Sequence, residues 1–93
     1  GKREAFDYEK LKRGVMRACE KRPIKSEEIE KMLIGVEEKL RKRGKEVMTS
    51  HIGDLVSREL KKLDKVAYIR FASVYKDFSE IGDFKKEIKD LGN

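Results

Sequence analysis

A single cysteine, Cys19, and a single histidine, His51, stand among 93 residues, and that scarcity closes off several chemistries. One thiol allows no internal disulfide. One thiol and one imidazole fall short of the ligand set of a structural zinc site. No apolar run approaches the roughly 20 residues that span a bilayer, and no secretory signal is visible. No membrane partner is therefore expected, and a reduced, cytoplasmic setting is. No GxxxxGK followed by Ser or Thr occurs, so there is no P-loop, and no GxGxxG marks a dinucleotide-binding turn. No repeat, low-complexity tract or linker interrupts the chain, whose length suits one small domain with one core.

Charge is what the chain has in quantity. Charged residues make up 45% and apolar ones 38%, with a net charge of +6. That balance suits an anionic partner such as a nucleotide or nucleic acid, although the two signs are too interspersed to identify one. The apolar residues fall into clean helical periods, which argues against disorder.

Lys2–Phe6 reads as a short strand. Asp7 is a good N-cap for a first helix running to about Lys21, with Leu11, Val15, Ala18 and Cys19 on its apolar face and Pro23 ending it. Ser26 caps a second helix, in which Ile29, Met32, Leu33, Val36 and Leu40 keep the helical spacing and Gly44 follows the end. Glu46–Met48 is a second extended candidate. Thr49 or Ser50 caps a third helix with Ile52, Leu55, Val56, Leu60 and Leu63 inward. Asp64 opens a fourth, Lys65–Phe78, with a stripe of Ala67, Phe71, Val74, Tyr75 and Phe78. A last helix begins near Asp83 and carries Phe84, Ile88 and Leu91. The fold class is mainly α, about four helices plus a C-terminal helix, with one or two short strands.

No catalysis is expected. Cys19 lies on an apolar face, as a buried structural thiol does. His51 sits in a first helical turn, where surface placement is the ordinary case. The carboxylates alternate with lysines along helix faces, as solvated ion pairs do. Phosphate binding has more behind it. Lys10, Arg13, Arg17 and Lys21 follow one broad face of the first helix, and Lys10 lies in its first turn, where free N–H groups favour an anion. Thr49 and Ser50 mark another helix start. The residues alone leave two readings open, a polyphosphate cradle or a solvated basic face. The stretch LDKVAYIRFASVYKDF, residues 63–78, adds a polar set that a plain core helix does not need: Asp64, Tyr68, Arg70, Ser73, Tyr75 and Lys76. Arg grips phosphate with a planar fork, and Tyr stacks on a base or closes a polar pocket.

REAFDYEKL, RACEKRP, SHIGDLV and LDKVAYIRFASVYKDF together make the chain resemble the ATP-cone domain of the bacterial transcriptional repressor of ribonucleotide reductase genes. The last stretch resembles a signature of that repressor family in particular. The resemblance spans nearly the whole chain, with the part after Phe78 least specific. It implies helices capped by a small β-sheet or hairpin, with residues 1–93 forming one ATP-cone that binds ATP and dATP. It implies a sensor whose nucleotide state sets homo-oligomerisation, and DNA binding in the full-length protein. Carried over position by position, Glu4 and Lys10 match nucleotide contacts, with Asp7 close by, and Thr49 matches a position lining the adenosine pocket. Arg70 and Tyr75 fall in the signature, at the nucleotide pocket or the oligomer interface. The family's opening strand, which ends in Lys-Arg-x-Gly, and its upstream four-cysteine zinc ribbon are not in this sequence, so zinc is expected only in that absent region. Two alternatives remain: an allosteric ATP-cone of a ribonucleotide reductase, and a basic helical module that binds nucleic acid directly.

Overall fold

Antiparallel pairing of two three-residue strands starts the fold, and five helices complete it. The computed structural model describes residues 3–5, 7–44 and 46–92, with the backbone alone at 3–5 and 46–50. Strand β1 is Arg3–Ala5 and β2 is Glu46–Met48, in the register Arg3 to Met48, Glu4 to Val47 and Ala5 to Glu46. Of the expected first strand, Lys2 and Phe6 lie outside the described residues. The helices are α1 Tyr8–Ala18, α2 Ser26–Arg41, α3 Thr49–Leu63, α4 Lys65–Tyr75 and α5 Ile81–Leu91. The mainly helical class stands. Among the described residues the two strands form a minimal ribbon, whose main contact with the helices is α3, running on directly from β2.

Local chemistry sets the helix starts. Asp7 is extended and its carboxylate accepts the Lys10 N–H at 3.1 Å. Asp64 does the same for Ala67 N–H at 2.8 Å. Ser26 is the first residue of α2 rather than its cap; Glu28 instead reaches back to the Lys25 N–H at 3.3 Å. Asp83 likewise reaches back, to the N–H groups of Ser79 and Glu80, so α5 begins two residues ahead of it. These bonds satisfy donors that a helix start leaves open.

Two helices end earlier than their sequence patterns predict. α1 stops at Ala18, and Lys21 takes a left-handed φ of 61°. Pro23 therefore follows a turn that is already made. α4 stops at Tyr75, three residues before Phe78. There Asp77 takes a φ of 54°, its N–H bonds to the Val74 carbonyl and the Phe78 N–H bonds to Ser73. That pair of bonds is a Schellman ending, with an aspartate in the place glycine usually takes. Gly44, with φ 108°, makes the corresponding turn after α2.

The core joins Val15, Ala18 and Cys19 of the α1 region to Ile29, Leu33, Val36 and Leu40 of α2, Leu55, Val56 and Leu60 of α3, and Ala67 of α4. Leu11, Met32, Ile52 and Phe71 pack against it partly buried. On α4 the buried residues are Ala67, Tyr68 and Ala72, while Val74 is 82% exposed. The expected stripe is thus rotated. α4 is apolar nearly all round, so its periodicity does not say which side faces inward, and the small Ala67 and Ala72 take the closely packed side. Val74→Lys is accordingly expected to move stability by no more than about 0.5 kcal/mol, as read from the urea midpoint. A loss of several times that would return Val74 to the core.

α5 contributes no buried residue. Phe84 and Ile88 are exposed, correcting the expectation of an inward face there, and Leu91 is half-buried. α5 is held to α4 and the turn after it by Phe84 meeting Phe78 edge-on at 4.9 Å and by Glu87, which accepts from the Tyr68 hydroxyl and from Lys76, each at 2.8 Å.

Candidate functional site

The ribbon joins the two strands that lead into α1 and α3. β1 feeds α1 and β2 feeds α3, but the strands are antiparallel, so the helices leave from opposite ends of the ribbon. A three-residue strand separates those ends by only about 7 Å along its axis. Glu4 lies at the middle of β1, opposite Val47, and Thr49 is the first residue of α3. Asp7 and Lys10 occupy the start of α1. The Asp7 carboxylate accepts the Lys10 amide, while the Lys10 side chain is exposed. Lys10, Arg13 and Arg17, at i, i+3 and i+7, are all exposed, and none forms an ion pair among the described residues. The start of α1 therefore carries exposed cations with no ion-pair partner among the described residues, beside a helix N-terminus that favours anions.

Arg70 and Tyr75 lie elsewhere. Arg70 donates to the carbonyls of Ala18 at 3.2 Å and Glu20 at 2.7 Å, which the end of α1 leaves without helical partners. Ala18 is eight residues beyond Lys10, about 12 Å along the helix, so Arg70 and Lys10 do not converge. Tyr75 lays its ring against Gly53 of α3 and donates its hydroxyl to Asp54 at 3.1 Å. It also stacks on Phe71, with ring centroids 6.2 Å apart. Burial raises the Tyr75 pKa, and the bond to Asp54 adds to the rise.

A third link completes the seating of α4. Arg22 Nε shares its proton between the two oxygens of Asp64, both at 3.1 Å, and the Asp64 side chain is only 8% exposed. Burial alone would raise the Asp64 pKa. The Ala67 N–H and the Arg22 guanidinium outweigh it and hold the carboxyl below its usual value. RACEKRP and the 63–78 stretch therefore touch through Arg22–Asp64 and through Arg70, while SHIGDLV touches the same stretch through Tyr75. No local pattern announces the Arg22–Asp64 pair, whose members are 42 residues apart. Burial raises the Cys19 pKa, so it is a protonated packing thiol. No cluster that could hold a metal ion is present among the described residues, and none of their helices is long and apolar enough to cross a membrane.

A small helical domain whose ribbon leads into two helices, one of them with exposed cations at its start, has the makings of an anion-binding module. The family model of the ATP cone domain matches residues 1–81, and the chain belongs to that family. Curated relatives named transcriptional repressor NrdR are 47% identical over 94 residues in Petrotoga mobilis, 51% over 94 in Shouchella clausii and 52% over 92 in Thermotoga neapolitana. These alignments cover 100%, 100% and 98% of this chain, and 63%, 62% and 59% of the respective relatives. The chain thus spans about three fifths of the length of the relatives it matches. The name of these relatives is that of a transcriptional repressor.

Proposed function

We propose that this domain senses ATP and dATP for a transcriptional repressor of ribonucleotide reductase genes. The nucleotide lies where the ribbon meets the start of α1, with Lys10 on the phosphates, Glu4 and Asp7 beside them and Thr49 toward the adenosine. The ribbon forms part of a larger cap over that site. The nucleotide state sets homo-oligomerisation of the repressor and, through it, the DNA affinity of the full-length protein, whose zinc ribbon lies ahead of this domain. Arg70 and Tyr75 serve the site by fixing α4 against α1 and α3. Membership of the ATP-cone family supports the ligand class, and the relatives' name favours a repressor over a domain of the reductase itself. The observation that carries the reading is the pair of helix starts joined by the ribbon, with an exposed and unpaired Lys10 at one of them.

Calorimetric titration with ATP and dATP, alongside light scattering, tests the reading. Binding is expected, with a change in assembled mass that depends on which nucleotide is present. A charge-assisted contact contributes about 1.5–3 kcal/mol, so Lys10→Ala is expected to weaken nucleotide binding by roughly 10–100-fold with an unchanged Tm of the free domain. Unaltered affinity in a folded Lys10→Ala variant would remove Lys10 from the site.

A further inference from the structure

The end of α2 and one side of α3 enclose a cleft of about 600 Å³, lined by Lys39, Lys42, Arg43, His51, Asp54, Leu55 and Arg58. Four of these seven are Lys or Arg, against one carboxylate. That carboxylate, Asp54, already accepts the Tyr75 hydroxyl. None of the four cations forms an ion pair among the described residues. Of the carboxylates on these two helices, Glu37 holds Arg41 at 2.9 Å and Glu59 holds Lys62 at 3.2 Å. Here, as along the exposed face of α1, the cations have no carboxylate partner among the described residues.

Helix dipoles explain only part of this. Lys39, Lys42 and Arg43 lie at the C-terminal end of α2, where cations are favoured. Arg58 is in the body of α3, and His51 lies in its first turn, where the dipole disfavours added positive charge. Their convergence on the cleft comes from the packing of α3 against α2. The lining holds no Phe, Tyr or Trp, its single ring being the His51 imidazole, and its one apolar residue, Leu55, is buried. Such a surface reads phosphates without reading bases.

We propose that the α2–α3 cleft binds the phosphate backbone of duplex DNA without sequence preference, giving this domain a nucleic-acid contact of its own. Its lining shares no residue with the proposed nucleotide site, although His51 stands two residues from Thr49. Each cation that neutralises a phosphate releases counterions, so affinity falls steeply as salt rises.

The test is fluorescence anisotropy of a short labelled duplex of random sequence with this 93-residue chain, repeated over a range of salt concentrations. Binding is expected at low salt. Lys42→Ala/Arg43→Ala and Arg58→Ala are each expected to weaken it and to lower the slope of log affinity on log salt by about one for each residue removed. The same variants should keep their Tm and their ATP affinity, which separates this proposal from the nucleotide reading. Lys85→Ala/Lys89→Ala, on the exposed side of α5, is the comparison and should change the slope little. Cleft variants that bind DNA like the parent chain, or a loss confined to the α5 variant, would overturn the proposal. So would binding of inorganic triphosphate at the cleft without binding of DNA.

Discussion

Replacing Asp64 with alanine is expected to cost about 3 kcal/mol and to lower the Tm by roughly 10–20 °C in a chain of this size. One carboxylate does two jobs. It caps α4 through the Ala67 N–H, a bond whose loss costs about 1 kcal/mol, and it neutralises Arg22 in a half-buried setting. Without it the guanidinium stays partly desolvated and unpaired, which adds about 1–3 kcal/mol. Asp64→Asn keeps a capping oxygen but drops the charge, so it should cost less than Asp64→Ala. The pH dependence has a definite sign. Because the folded-state pKa lies below its usual value, near 3.9 for a free aspartate, the contribution is complete above that value. It is lost as pH falls through the lower, folded value. Glu87, held low first by Lys76, acts in the same direction. Urea unfolding should therefore show stability falling on the acid side of the carboxylate range, with a shallower fall in Asp64→Asn. A loss below about 0.5 kcal/mol in Asp64→Ala would mean that the pair does not hold α4.

Gly53→Ala should destabilise the domain by about 1–3 kcal/mol, although alanine is the better helix former. A Cβ at position 53 would overlap the Tyr75 ring. The ring would have to swing away and give up the bond to Asp54 and the stacking on Phe71. Overpacking of this kind costs about 1–3 kcal/mol, whereas relieving a glycine in a helix interior returns only about 1 kcal/mol. The decisive experiment is the double-mutant cycle. With Tyr75→Ala in the background, Gly53→Ala should become stabilising, by roughly the propensity difference, because nothing remains to clash. The same sign of effect in both backgrounds would show that the glycine is not there for the ring.

How much of this the sequence displays depends on how local the cause is. The α2 row of Ile29, Met32, Leu33, Val36 and Leu40 is plain because charged residues flank a single apolar face. The caps at Asp7 and Asp64 are plain because a capping bond reaches only three residues. The inward side of α4 is hidden because valine and isoleucine lie on every side of it. The early ends of α1 and α4 are hidden because Lys21 and Asp77 adopt left-handed conformations that their side chains do not advertise. At the candidate site, Lys10 is legible for the same reason as the cap beneath it. The sequence marks Arg70 and Tyr75 as more than a core helix needs, but their partners are 50 and 21 residues away. Their roles emerge only when α4 is set against α1 and α3. The α2–α3 cleft is hidden for the same reason, since its cations come from two helices whose separate patterns look like ordinary solvated faces.

The latch between Arg22 and Asp64 also bears on how members of this family are told apart. RACEKRP and LDKVAYIRFASVYKDF look like two separate marks of kinship, but they are the two halves of one contact. Changing either half alone strands its partner. A chimera exchanging only one of them should inherit a mismatched seam. Finding both in a chain is thus a single physical fact counted twice, and the fact concerns how α4 is seated rather than what the ribbon binds.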